Sequence, residues 1–77
     1  MKRYCVKLMT MEQVQKFIDA IRKMPYDVDA RHGHYIVDAK SILGILSLSL
    51  GREIDLEVHT EDPLAYELLD TICEDFQ

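Results

Sequence analysis

Residues 38–51, Asp-Ala-Lys-Ser-Ile-Leu-Gly-Ile-Leu-Ser-Leu-Ser-Leu-Gly, constrain the fold more than any other stretch of the chain. Ser41 is suited to start a helix, because its hydroxyl can accept a hydrogen bond from a backbone N–H one turn on. Ile42, Leu43, Ile45 and Leu46 follow. At 3.6 residues per turn a short helix directs only about half of them to one face. Such a helix is either buried between two layers or shows apolar surface to a partner. Gly51 is its expected exit.

The rest of the chain switches between two periods. Tyr4, Val6 and Leu8 alternate with Arg3, Cys5 and Lys7, which predicts a half-buried strand over 3–8. Thr10-Met11-Glu12-Gln13 fits a capping box, with Thr10 bonding forward to the Gln13 N–H and Gln13 reaching back. Val14, Phe17, Ile18, Ile21 and Met24 form one helical stripe, which Pro25 ends. Tyr26, Val28 and Ala30 alternate with Asp27, Asp29 and Arg31 in a second strand. His32-Gly33 supplies a turn, and a third strand returns over 34–38. After the Ser41 helix, Ile54, Leu56 and Val58 alternate with Glu53, Asp55, Glu57 and His59. Asp62-Pro63 then opens a last helix, with Asp as cap and Pro at the first helical position. Its expected buried stripe is Ala65, Leu68, Leu69, Ile72 and Phe76.

The order is β-α-β-β-α-β-α, an α+β arrangement. Clean alternation predicts a four-stranded antiparallel sheet with the three helices on one face and water on the other. Arg3, Lys7, Asp27, Asp29, Arg31, Asp55 and Glu57 would line the wet face. Phe17, Ile18, Val28, Ile54, Leu56, Leu69 and Ile72 should meet in one core. No linker or repeat interrupts the pattern, so residues 1–77 read as a single domain. A chain this short buries roughly 60–65% of its unfolded surface, so every element must contribute. Its 48% apolar and 30% charged composition is that of an ordinary globular protein.

Several function classes are excluded at this stage. The net charge of −5 does not suit a nucleic-acid binder, which needs a basic face for phosphates. No apolar run approaches the ~20 residues of a membrane span. The segment from Met1 to Lys7 is no secretion signal, so Cys5 and Cys73 are expected as free, structural thiols in a reducing cytosol. His32 and His34 across their turn, with His59, lack a fixed fourth ligand, so no metal and no cofactor is expected.

The segment Ala39-Lys40-Ser41-Ile42-Leu43 through Leu48 resembles the regulatory-serine segment of the HPr family, the small histidine-containing phosphocarriers of the bacterial sugar phosphotransferase system. The order of elements is also that family's, and from His34 to Phe76 the spacing follows it. The resemblance implies an HPr-like open-faced β-sandwich and a non-enzymatic, cytoplasmic protein that works through protein partners.

In HPr the phosphoryl group is carried by a histidine just before the first helix, with an arginine and a proline after it. A neutral imidazole is the nucleophile, the helix N-terminus offers N–H groups to the phosphate, and the arginine clamps it. Aligned on Phe17, the histidine position falls on Thr10 and the arginine on Glu12, and the loop is several residues shorter. The resemblance therefore implies a divergent member that has lost the active-site histidine, with no catalytic residue. Ser41 matches the serine that HPr kinase phosphorylates in many relatives, a candidate regulatory site with Lys40 beside it; without that role it is a helix cap. Ile42, Leu43 and Leu46, extended by Met9 and Met11, match the family's partner-binding surface, which could also support self-association. The residues leave two alternatives open: a phosphoacceptor using Ser41 or another histidine, and a small-molecule-binding domain of similar strand order.

Overall fold

Seven elements follow one another in the expected order in the protein's computed structural model, which describes residues 3–48 and 51–76. They are β1 (Arg3–Lys7), α1 (Met11–Arg22), β2 (Val28–His32), β3 (Tyr35–Asp38), α2 (Ile42–Leu48), β4 (Glu53–Val58) and α3 (Pro63–Glu74). The strands form one antiparallel sheet in the order β1-β4-β2-β3. β4 is thus interior, with Tyr4 opposite Leu56 on one side and Ala30 opposite Leu56 on the other.

Local signals set the element ends. Thr10 Oγ1 accepts from the Gln13 N–H at 3.1 Å. Gln13 reaches back, but to the Met9 N–H at 2.6 Å, one residue before the cap that the capping box predicts. Asp62 caps α3 through the Leu64 N–H at 3.0 Å, with Pro63 in the first turn. That bond and one from the Tyr26 hydroxyl, the larger influence, hold the Asp62 carboxyl below its usual range. Gly33 in the β2–β3 turn has φ +61°, a conformation that glycine adopts without steric cost.

The inward-facing side chains of β1, β2 and β4 meet the stripe of α1. Val6, Val14, Phe17, Ile18, Ile21, Val28, Ile54, Leu56, Val58 and Leu69 are all buried. Phe17 packs edge-on against Phe76, with centroids 5.6 Å apart and planes at 88°.

Several expectations need correction. Tyr26 lies before β2, His34 before β3, and Leu8 past the end of β1, though Leu8 is fully buried. On α3, Leu68 is 36% exposed and Ile72 only partly buried, while Cys73 is buried. Ala65, Leu69, Cys73 and Phe76 centre the stripe about one side chain round from the predicted one, which turns Leu68 to the margin. Cys5 lies exposed on the open face of β1, so it is free but not a packed structural thiol. The sheet separates it from Cys73 on the helical side, which leaves both thiols free. β3 does not alternate cleanly, since Tyr35, Ile36 and Asp38 are all exposed. It is an edge strand that α2 only partly covers. Arg3's side chain and residues 49 and 50, before the predicted exit at Gly51, lie outside the described residues.

On the open face, Arg31 pairs with Glu57 at 3.7 Å. His59 Nε2 lies 2.6 Å from Asp29 Oδ2, tying the end of β4 to β2. The Asp29 hydrogen bond first, and then its charge, raise the His59 pKa above 6.5, with smaller contributions from Glu57 and Asp27 against a small desolvation effect.

Phe17→Ala should lower stability by about 3–5 kcal/mol, a large share of what a small domain has, because the ring leaves a cavity against Phe76. Urea unfolding monitored by circular dichroism measures it. For His59 the folded pKa is the raised one. Its contribution is therefore complete below pH 6.5 and is lost as pH rises through the folded value. The urea midpoint of the native chain should fall over that window by a modest amount, since the pair is solvent-exposed. In Asp29→Asn that part of the slope should disappear.

Candidate functional site

One end of the sheet gathers the start of α1, the entry to β4 and the β2–β3 turn. Lys7 stands opposite Glu53, the Gly51 N–H donates to the Leu8 carbonyl at 2.8 Å, and Thr10 follows as the α1 cap. The last turn of α1 lies one helix length away, about 18 Å for twelve residues.

Thr10 is exposed at this helix N-terminus, between the exposed Met9 and Met11. Its hydroxyl oxygen is already an acceptor for the Gln13 N–H. Glu12 faces solvent and pairs with Lys16 at 3.2 Å, one turn along the helix. The helix start thus presents a hydroxyl committed to the backbone, with a carboxylate in its first turn.

His32, expected at the β2–β3 turn and weighed there as a metal ligand, has a fixed ring. Nδ1 lies 3.0 Å from the Glu53 carbonyl oxygen. A carbonyl only accepts, so Nδ1 carries the hydrogen and the neutral ring keeps its lone pair on Nε2. His32 stands beyond β4 from β1, roughly 10 Å across two strand spacings. His59 is at the other end of β2, near Asp29, so the histidines do not converge. Among the described residues no group of three or more His, Cys, Asp or Glu side chains is placed to hold a metal ion.

Ser41 is remote from Thr10. It opens α2 beside the C-terminal end of α1, where Arg22 Nε donates to the Lys40 carbonyl at 3.1 Å and Lys40 Nζ to the Met24 carbonyl at 2.7 Å. Ser41 Oγ accepts from the Gly44 N–H at 3.1 Å, the capping bond its position predicts. Lys40, expected to assist a phosphate on Ser41, is instead turned onto Met24. Thr10 and Ser41 therefore mark separate places on the helical layer.

α2 divides its aliphatic side chains. Ile45 and Leu48 are buried, Ile42 and Leu46 are partly buried against the core, and Leu43 is 77% exposed. Gly44 makes the close approach possible: a Cβ there would lie 3.1 Å from the Val37 Cβ and 3.3 Å from Ser41 side-chain atoms. The helix thus seats its backbone on β3 and turns Leu43 outward. Cys73, by contrast, is withdrawn from chemistry, since burial pushes its pKa up to about 11.

No helix among the described residues is long and apolar enough to cross a membrane. No curated protein matches the sequence. Two solved structures are similar over nearly their whole length. HPr-C-His from Thermoanaerobacter tengcongensis is 25% identical with a TM-score of 0.76, covering 97% of this chain and 93% of that one. A phosphocarrier protein HPr from Bacillus anthracis str. Ames is 27% identical with a TM-score of 0.77, covering 99% and 94%. Residues 9–77 match the family model for the PTS HPr component phosphorylation site. With that match over most of its length and the four-stranded, three-helix sandwich described above, this chain belongs to the HPr phosphocarrier family of the phosphotransferase system.

Proposed function

We propose that this chain is a divergent HPr-family module, one domain over residues 1–77, in which the histidine relay has been lost. It acts in the bacterial cytoplasm as a non-catalytic regulatory or protein-binding partner. The observation that carries the reading is the start of α1. Thr10 takes the position of the family's histidine and spends its side-chain oxygen on the Gln13 N–H. Glu12 takes the arginine position and would repel the phosphate that an arginine attracts.

Partner binding is assigned to Met9 and Met11 at the start of α1 and to Leu43 on α2, with Ile42 and Leu46 at the margin. Three of these are large exposed apolar side chains, which a small protein seldom shows without a use. Methionine adapts to irregular partner surfaces. Ser41 is the candidate modification site. A phosphate there would add about −1.5 to −2 charges at the positive end of a helix. Its oxygens are acceptors for the Gly44 N–H that Ser41 Oγ now holds, a cap worth about 1 kcal/mol.

A second reading rests on His32. Its Nδ1 contact with Glu53 leaves Nε2 as the nucleophilic nitrogen at the end of the sheet where α1 begins. In that reading the chain accepts a phosphoryl group on a different histidine.

Incubation with phosphoenolpyruvate and the general phosphotransferase enzyme should leave the chain unlabelled. Acid-labile phosphate lost in His32→Gln would establish the second reading instead. Phosphate appearing on His34 or His59 would also defeat the first. Leu43→Glu should leave the urea midpoint nearly unchanged, because the side chain is already in water. It should weaken capture of phosphotransferase-system proteins on the immobilised chain by about tenfold. Equal capture by both forms would remove α2 from the binding surface.

A further inference from the structure

The sheet has two edges, and they are protected very differently. On β1 the Lys7 N–H is taken by the Phe76 carbonyl at 2.8 Å, and the strand carries charged Lys7. Charge and cover of this kind keep a strand edge from pairing with another chain. β3 reads Tyr-Ile-Val-Asp, with neither lysine nor proline. Tyr35 is 73% and Ile36 53% exposed.

The backbone of β3 is directed outward at defined positions. The Ala39 N–H donates to the Val28 carbonyl at 2.9 Å, and Val37 and Tyr35 stand opposite Ala30 and His32. In an antiparallel ladder such pairs alternate. Residues 35, 37 and 39 therefore turn their N–H and C=O toward β2, and residues 34, 36 and 38 turn theirs to the outer edge.

We propose that β3 pairs with β3 of a second copy of this chain, antiparallel, about a two-fold axis through Ile36, to make one eight-stranded sheet. The register follows from the alternation. A centre on residue 35 or 37 would oppose inward-turned backbone groups, and a centre on Asp38 would set two carboxylates against each other. Centred on Ile36, each Ile36 N–H donates to the Ile36 carbonyl of the other copy, and each Asp38 N–H to the opposite His34 carbonyl. The Asp38 carbonyl also remains satisfied, since it accepts from the Ser41 N–H at 3.0 Å within its own chain.

The side chains agree with this register. Ile36 meets Ile36 on the open face. Tyr35 meets Val37 on the helical face, an aromatic–β-branched pair of the kind that stabilises sheets. His34 comes opposite Asp38, whose Oδ1 holds the Lys40 N–H and whose other oxygen is available to the imidazole. The axis stands perpendicular to the sheet, so both helical layers share one face. The two α2 helices, seated on β3 at Gly44, then flank the axis on the same face of the sheet. The contact is short, so the dimer is a weak, concentration-dependent one. It goes beyond the partner-binding reading above, since it is built on β3 and requires neither phosphate nor another protein.

Sedimentation equilibrium of the full chain over a dilution series should give a reversible monomer–dimer equilibrium. Ile36→Lys sets two like charges together on the axis. It should raise the dimer dissociation constant at least about tenfold while leaving the urea midpoint of the monomer in place. In the unmodified chain, amide exchange at Ile36 and Asp38 should slow as concentration rises, a readout that depends on no variant. A chain that stays monomeric throughout would overturn the proposal. So would a dimer indifferent to Ile36→Lys, or concentration-dependent protection on β1 or α3 instead of β3.

Discussion

The sheet of this protein depends on β4. Among the described residues it forms the only ladder that β1 has, and it supplies the inner neighbour of β2, so β4 joins the first strand to the hairpin. Bringing such distant segments together costs loop-closure entropy that no local contact offsets. Burial offsets it: Ile54, Leu56 and Val58 are all within the core, facing Val6, Val28 and Ala30 from the flanking strands and Phe17 and Ile18 from α1. Without β4 in place, the helices would have no continuous surface to pack on.

That same strand positions the chemistry. The Gly51–Leu8 bond, just before β4, fixes the turn from which Thr10 starts α1. The Glu53 carbonyl, at the first residue of β4, holds His32 Nδ1. β4 therefore holds the N-terminus of α1 at this end of the sheet, directed outward. That end carries Thr10 as the helix cap, Glu12 in the first turn and a tethered His32 two strands away. An HPr fold and the side chains exposed at its ends answer to different constraints, because packing sets the first and solvent-facing positions are free to vary.

Much of the fold was legible in the sequence because local physics and tertiary packing agreed. The Thr10 and Asp62 caps, the α1 stripe from Val14 to Ile21 and the alternation of β1 and β4 each have one low-energy interpretation. The site was legible less evenly. Thr10 and Ser41 could be read as helix caps from their own chemistry. That Lys40 turns onto the Met24 carbonyl could not be read, since a long flexible side chain is directed by whatever acceptor lies within reach. Nor could the order of strands in space, which decides that β3 is an edge and that Tyr35 and Ile36 meet water.

The sequence by itself determined the order of elements, their caps and most of the core, because hydrophobic period and terminal hydrogen bonds act within a few residues of each other. It also determined that α2 carries more aliphatic surface than one face can bury. Only the tertiary structure decided which of those side chains stays outside. Gly44 lets the helix settle against Val37, and that contact turns Ile45 and Leu48 inward and Leu43 out. The rotation of a helix about its axis is set by what it packs on, and here that surface comes from elsewhere in the chain.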